Sequence, residues 1–380
     1  MENNNINLLT YTGAYWEGKL YCLARDFNLL FSIDVQNGAI EPIDVIPEEE
    51  ILINYPCGNI NIWHDKLILT SLRRKKIWIY DLTSKQWSSF LLKECENCYG
   101  FGVFYQVHIY KNKIFCVGGG YPSILCLDIE NDSYSYIDNP YKEMISRQPD
   151  LDYMYFWRSG VKLENFLYLA SCHDNFVLKF DMDTWTYHWI KIGDDNYKYA
   201  GIAWDGNNFW LSPQVGSDIV KWNDKGKITI FPLPSKLKQH SNYMWNAFYD
   251  GRYIILPGDI YTPESIRIDP QTNVLEFYEE RYPLHTRLEN GMVIRQKTDG
   301  SLSITTEDTS MEYQITINTD QLQQFYKGKN LSVFKEQTLY HETPENPMLS
   351  LESFLSFTKS QAENNPSGGQ IGKTIWDSIK

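Results

Sequence analysis

Asn59-Ile60-Asn61-Ile62-Trp63, then His64-Asp65-Lys66, then Leu67-Ile68-Leu69-Thr70-Ser71, then Ile77-Trp78-Ile79-Tyr80-Asp81, then Trp87-Ser88-Ser89-Phe90-Leu91: this stretch holds four short strand-like runs separated by polar turns. Side chains of a strand alternate between two faces, so Ile60-Asn61-Ile62 and Val107-His108-Ile109 mark strands with one apolar and one polar face. A helical repeat would instead place its apolar residues three and four apart. One four-stranded unit cannot keep both faces dry, so copies of it must stack around an axis.

The turn after the first strand recurs along the chain. It reads Trp16-Glu17-Gly18-Lys19-Leu20, Tyr110-Lys111-Asn112-Lys113-Ile114, Leu163-Glu164-Asn165-Phe166-Leu167, Trp204-Asp205-Gly206, Tyr249-Asp250-Gly251 and Thr298-Asp299-Gly300. The turn position holds Gly18, Asp65, Asn112, Asn165, Gly206, Gly251 and Gly300, residue types that accept the positive φ of a two-residue hairpin turn. A second marker, a strand ending in an acid or amide before a polar turn, falls at Asp34, Asp81, Asp128, Asp181, Asn223, Asp269 and Asn318. The steps between its copies are 47, 47, 53, 42, 46 and 49 residues. Two independent markers in one phase through seven cycles predict an all-β chain: a seven-bladed β-propeller of four-stranded antiparallel blades over residues 5–325.

Ile77-Trp78-Ile79-Tyr80-Asp81-Leu82-Thr83-Ser84-Lys85-Gln86-Trp87 resembles the end of a kelch repeat, as does Phe180-Asp181-Met182-Asp183-Thr184-Trp185. Gly118-Gly119-Gly120 resembles the kelch double glycine in one cycle only. The fifth cycle, from Asp205-Gly206-Asn207-Asn208-Phe209-Trp210-Leu211 through Ile219-Val220-Lys221-Trp222 to Gly226-Lys227-Ile228, is similar to the repeats of streptogramin lyase-type propellers. The likeness spans about residues 11–320 and carries the fold; propellers of this kind serve many roles.

Composition bounds the function. The 380 residues exceed the usual single core, which fits two domains or one large repeat array, and 27 Tyr and 12 Trp favour pleated sheet. A net charge of −13 repels phosphate backbones, so no nucleic-acid partner is expected. The basic run Arg73-Arg74-Lys75-Lys76 reads as a solvated hairpin tip. The amino terminus lacks the pattern of an export signal, and no apolar stretch reaches the length of a membrane span, so no membrane is expected. Seven scattered cysteines fit reduced thiols in a cytoplasm.

Residues 326–380 form a C-terminal extension. Helical spacing in Ser350-Leu351-Glu352-Ser353-Phe354-Leu355 and an apolar stripe of Ile371, Ile375, Trp376 and Ile379 predict one or two short amphipathic helices. The ring also needs closing, because open edges would leave unpaired backbone groups. Asn7-Leu8-Leu9-Thr10-Tyr11 is one candidate for a closing strand of the last blade, and Leu331 to Phe334 is a rival.

The expected site is the rim shared by the links between blades and the connections from second to third strands, since loops vary while the scaffold stays fixed. Long aromatic links bring Tyr55, Tyr99, Trp157 with Arg158, and Tyr243, Trp245 and Asn246 to this rim; His173 and Asp174 join from another connection. Along the inner strands Asn59, Asn61, Gln106 and His108 face the channel. Polar groups facing water need no special role. Flat rings beside planar hydrogen-bonding groups suit an extended peptide or a sugar. Cys95-Glu96-Asn97-Cys98 supplies only one metal-ligand pair where a closed zinc site needs four ligands, and no phosphate loop or nucleophile elbow is present.

The expectation is a non-catalytic binding propeller that recognises a protein, peptide or glycan through an aromatic-rich rim at the channel mouth, with no metal and no cofactor. A metal-assisted lyase is the alternative that the streptogramin lyase resemblance implies; it would need His and Glu converging at the channel mouth. His108, His173 and His285 are the histidines placed there, and the catalytic positions of that family do not map onto this chain. A scaffold acting through its C-terminal tail is the third reading.

Overall fold

The computed structural model describes residues 5–326, except 26, 48–56, 72–74, 95–103, 132, 149–155, 215–216, 224, 235–236, 238–245, 259–263, 280–283, 298 and 307–308. All of these lie in Met1–Leu331, the first of two units into which the chain divides. The predicted extension helices therefore fall outside the described residues, as do Cys95 and Cys98.

Seven four-stranded antiparallel sheets follow one another, each built from consecutive strands in simple order. Blade 1 comprises Thr10–Trp16, Lys19–Ala24, Leu29–Asp34 and Ile40–Val45. Blade 2 comprises Cys57–Trp63, Lys66–Ser71, Lys76–Asp81 and Gln86–Leu91. Blade 3 has Phe104–Tyr110, Lys113–Gly118, Ile124–Asp128 and Ser133–Ile137; blade 4 has Gly160–Leu163, Phe166–Ala170, Phe176–Asp181 and Tyr187–Lys191. Blade 5 has Tyr199–Trp204, Phe209–Pro213, Ile219–Trp222 and Ile228–Phe231. Blade 6 has Phe248–Tyr249, Ile254–Leu256, Glu264–Ile268 and Leu275–Glu279, and blade 7 has Leu284–Arg287, Val293–Gln296, Ser301–Thr305 and Ser310–Gln314.

First strands of neighbouring blades lie against each other, including those of blades 7 and 1, and at the seam of blades 3 and 4 Gly160 and Lys162 reach Gln106 and Ile109, so the ring is closed and the first strands surround its axis. The core lies between blades. Leu67, Leu69, Trp78 and Tyr80 of blade 2 pack on Leu23 and Leu30 of blade 1, whereas Ile68 and Ile77 pack on Ile114 and Leu125 of blade 3. This explains the uninterrupted apolar run Leu67-Ile68-Leu69, since a strand covered on both faces needs no polar side. The outermost strand Gln86–Leu91 is mostly exposed, with only Trp87 and Phe90 half-buried, one against each neighbouring core.

The acidic marker works as a turn cap. Asp81 Oδ1 accepts the backbone N–H groups of Thr83 (3.0 Å) and Ser84 (2.7 Å), and Asp34, Asp181 and Asp269 repeat the arrangement in blades 1, 4 and 6. Four residues after each of these acids the chain turns left-handed, at Gly38, Lys85, Trp185 and Asn273. The hairpin after the first strand differs from expectation. In blades 2, 3 and 4 the positive φ falls on His64, Lys111 and Glu164, one residue before the predicted Asp65, Asn112 and Asn165.

The last cycle was one strand out of phase. Asp299-Gly300 lies between the second and third strands of blade 7, and the turn that matches the other blades is Asn290-Gly291. Asn318 ends no blade strand; it caps the short helix Thr319–Leu322. Seven blades nevertheless result, because blade 7 is complete by Gln314.

Ring closure departs from the predicted use of Asn7 to Tyr11 as a strand of the last blade, and the rival, Leu331 to Phe334, lies outside the described residues. Thr10–Trp16 is the inner strand of blade 1, and Asn5–Asn7 pairs antiparallel with Thr316–Asn318 as a separate two-stranded sheet. Leu8 N–H donates to Ile315 O at 2.8 Å. Gln296, with no exposed surface, reaches from blade 7: its Oε1 accepts Thr10 N–H (2.6 Å) and its Nε2 donates to Leu8 O (2.7 Å). One side-chain amide thus satisfies two buried backbone groups where the strands cannot continue their ladder. Tyr313 Oη donates to Val35 O at 2.7 Å, tying the outer strand of blade 7 to blade 1.

One helix, α1 (Asn139–Arg147), joins blades 3 and 4 and accounts for the longest repeat step. Its Tyr141 and Met144 enter the core formed with Phe115, Phe156 and Phe180. Among the described residues, no helix is long and apolar enough to cross a membrane.

Candidate functional site

The structure divides the predicted rim residues into three groups. Tyr55, Tyr99, Tyr243 and Trp245 lie outside the described residues, and Asn246 is exposed. Trp157 is no rim residue. It is wholly buried between blades 3 and 4, stacked on Trp189 at 5.6 Å and edge-on to Tyr141 at 5.7 Å. Tyr141 and Met144 of α1 share its core, so the whole indole is removed from water.

Arg158 is also buried, beside the Cys172 thiol. Asp174 is claimed by α1: Arg147 Nε and Nη2 stand 2.9 and 2.7 Å from its Oδ2. The Arg147 guanidinium stacks on Trp189 (4.1 Å) and Phe176 (4.7 Å), so the ion pair is held among aromatic faces. Gln148 Nε2 donates to His173 O at 2.9 Å, and the His173 ring meets Phe156 edge-on. Arg147 and Gln148 therefore fix the His173–Asp174 connection as a structural clamp. Gly118 serves close packing rather than phosphate: a Cβ there would stand 1.7 Å from Tyr121 O, and its carbonyl accepts the Tyr141 hydroxyl.

The inner strands carry the remaining chemistry. Asn59, Asn61 and His108 stay partly exposed although their strands surround the axis, so solvent reaches the channel there. Asn61 Nδ2 donates to Val107 O of the next blade at 3.0 Å. Gln106 and His108 project from the same face of blade 3, with His108 Nε2 and Gln106 Oε1 2.9 Å apart. Gln106 is 7% exposed, and its Nε2 meets no acceptor among the described residues. Gly160 of blade 4 lies over it; a Cβ at that position would come within 2.6 Å of Gln106 Oε1.

Lys162, two residues further along the same blade 4 strand, completes this wedge. Its ammonium donates to Ile109 O of blade 3 (2.9 Å) and to Glu289 Oε1 of blade 7 (3.1 Å). Blades 4 and 7 stand apart around the ring, so that ion pair crosses the axis. Burial, aided by the Lys162 cation, pushes His108 down to about 3, which keeps the imidazole neutral. Burial and Arg295, whose Nε donates to the ring at 3.0 Å, push His285 likewise down to about 3.

A metal-assisted centre would need anionic or neutral ligands converging on one point. Among the described residues no three of His, Cys, Asp and Glu do so, and His108 has an ammonium as neighbour. These residues do not fit a bound cation.

Sequence reasoning missed Lys162 and Glu289. Lys162 was readable: it occupies the position, two before the left-handed turn residue, at which blades 2 and 3 carry Ile62 and Ile109. Glu289 lies in a turn and breaks no pattern.

No protein-family model matches this chain, and no curated protein does. Solved structures do. Virginiamycin B lyase from Staphylococcus aureus is 13% identical, with a TM-score of 0.53, 81% of this chain and 97% of that one being covered. A chain of the Mitotic Checkpoint Complex is 10% identical at a TM-score of 0.55, covering 80% and 90%. BamB from Moraxella catarrhalis is 14% identical at 0.50, covering 78% and 85%. At these identities the likeness is one of fold, and the chain shares the seven-bladed β-propeller architecture of the streptogramin (virginiamycin B) lyases.

Proposed function

We propose that this chain is a recognition propeller that binds a protein or peptide segment at the mouth and wall of its central channel. The observation that carries this reading is the Gln106–His108 pair. A neutral, partly exposed imidazole, held by the buried Gln106 amide beside the ring axis, offers a hydrogen bond to a ligand without offering a charge. Gln106 Nε2 itself is sealed from solvent, so the partly exposed His108 ring carries the contact with a ligand. Membership of one fold neighbour in a named protein complex agrees with a protein partner. The rim residues Tyr55, Tyr99, Tyr243, Trp245 and Asn246 belong to the same proposal as the walls a longer ligand would meet.

A peptide and glycan array probed with the full chain tests this reading, beside Gln106→Leu and His108→Leu. Peptide spots bound by the parent chain should be lost from both variants. Retention of the same spots at unchanged intensity would move the site away from the channel. Binding confined to glycans would replace the partner class.

A further inference from the structure

We infer that the hairpin tip of blade 7, residues 288–292, is a strap latched across one mouth of the central channel, and that its release opens a second route to His108. The strap governs access to the channel wall, whichever ligand that wall meets.

This tip is the odd one among the seven. In blades 1 to 4 two residues join the first strand to the second: Glu17-Gly18, His64-Asp65, Lys111-Asn112 and Glu164-Asn165. Such a tight turn keeps to its own blade. Blades 5 and 6 use four residues, and blade 7 uses five, between Leu284–Arg287 and Val293–Gln296. The extra length is folded on itself. Leu288 O accepts Gly291 N–H at 2.9 Å, Met292 O accepts Leu288 N–H at 2.8 Å, and Asn290 Oδ1 accepts Met292 N–H at 3.2 Å. Gly291 supplies the left-handed backbone, at φ 87°, that this reversal needs. Arg287 ties the base of the tip to its surroundings: Nε donates to Gly291 O (3.3 Å), and Nη1 donates to Tyr249 O of blade 6 (2.9 Å).

A tip built this way carries Glu289 to the far wall. Blade 4 stands three places from blade 7, as far apart as two blades of a seven-bladed ring can be. Glu289 Oε1 nevertheless accepts from the Lys162 ammonium at 3.1 Å, and Ile109 O of blade 3 holds the same ammonium at 2.9 Å. The two side chains, with the tip behind Glu289, therefore occupy the axis at this level. Ile109 follows His108 toward the turn at the end of its strand, so the latch lies on the turn side of His108. The link side is left as the way in. Water reaches both partners, with Lys162 28% and Glu289 46% exposed, so the pair holds weakly and is sensitive to salt. It can let go without disturbing a blade core.

Carbethoxylation of the full chain by diethyl pyrocarbonate, located by peptide mass spectrometry, reads access to the His108 ring. Rates are taken relative to His64, which is exposed in the tip of blade 2. Glu289→Gln should speed His108 modification about two- to fivefold, the range that an ion pair this exposed allows. Lys162→Arg should keep the parent rate. Salt raised from about 0.05 M to 0.5 M should speed the parent chain and leave Glu289→Gln where it was. Equal His108 rates in the parent and Glu289→Gln would overturn the strap, as would a parent rate unmoved by salt. A salt effect that survives Glu289→Gln, or no modification of His108 in either chain, would overturn it too.

Discussion

Replacing Gln296 by Ala should open the ring more than any change to the blades' own hairpins. Gln296, Thr10 and Leu8 have no exposed surface, so no water waits to replace the lost amide. The substitution strands the Thr10 N–H, now held at 2.6 Å, and the Leu8 carbonyl, now held at 2.7 Å. Each buried backbone group left unmet costs about 1–3 kcal/mol, giving a loss of roughly 2–5 kcal/mol after some water enters the new cavity. Urea unfolding followed by tryptophan fluorescence reads this as a lower midpoint at unchanged slope. Hydrogen exchange at the Thr10 amide should accelerate before that of the blade cores. Gln296→Glu separates the two bonds, because a carboxylate still accepts from Thr10 but repels the Leu8 carbonyl; its deficit should shrink once acid protonates it. A loss under about 0.5 kcal/mol, with Thr10 still protected, would refute the latch.

Trp157→Ala should destabilise the chain by about 3–5 kcal/mol in the same unfolding assay, as expected for a large core side chain, and leave ligand affinity of the folded fraction unchanged. Gly38→Ala puts a Cβ at φ 73° and 2.2 Å from the Tyr313 ring; a loss of roughly 1–3 kcal/mol should fall sharply in a Tyr313→Ala background. His285 titrates near 3 in the folded chain against an ordinary 6.5, so the unfolded chain takes the proton first. Its contribution is full above about pH 6.5 and drains away as pH falls toward 3, the loss amounting to about 2 kcal/mol by pH 5; His285→Gln should flatten the stability profile between pH 7 and 5 by that amount.

Blade number and strand order were legible because they rest on backbone chemistry. The marker carboxylates at Asp34, Asp81, Asp181 and Asp269 cap turns in the same way, and a turn that needs its own cap must repeat it. Phase failed at blade 7, where Asp299-Gly300 imitates the turn yet joins later strands. Helix α1 escaped notice because Asn139-Pro140 opens it without a side-chain cap and its apolar face is only Tyr141, Met144 and Ile145. The site was half legible. Gln106 and His108 betray themselves by alternation within one strand, whereas the fates of Trp157 and Asp174 depend on a helix from a neighbouring connection. No local pattern tells an aromatic link residue that faces solvent from one that closes a core. Glu289 reaches Lys162 across the ring, from a distance of 127 residues in sequence, and only closure brings them together.

The most direct test of the channel as the binding site is imidazole ¹H–¹⁵N NMR of His108, assigned by comparison with His108→Gln, before and after addition of a peptide bound by the parent chain on the array. The neutral ring beside Gln106 should show one protonated nitrogen at pH 6, and its resonances should move on binding while those of exposed His64 stay in place. A His108 signal that titrates with an ordinary midpoint, or one that stays still as the peptide binds, would contradict the placement of the site.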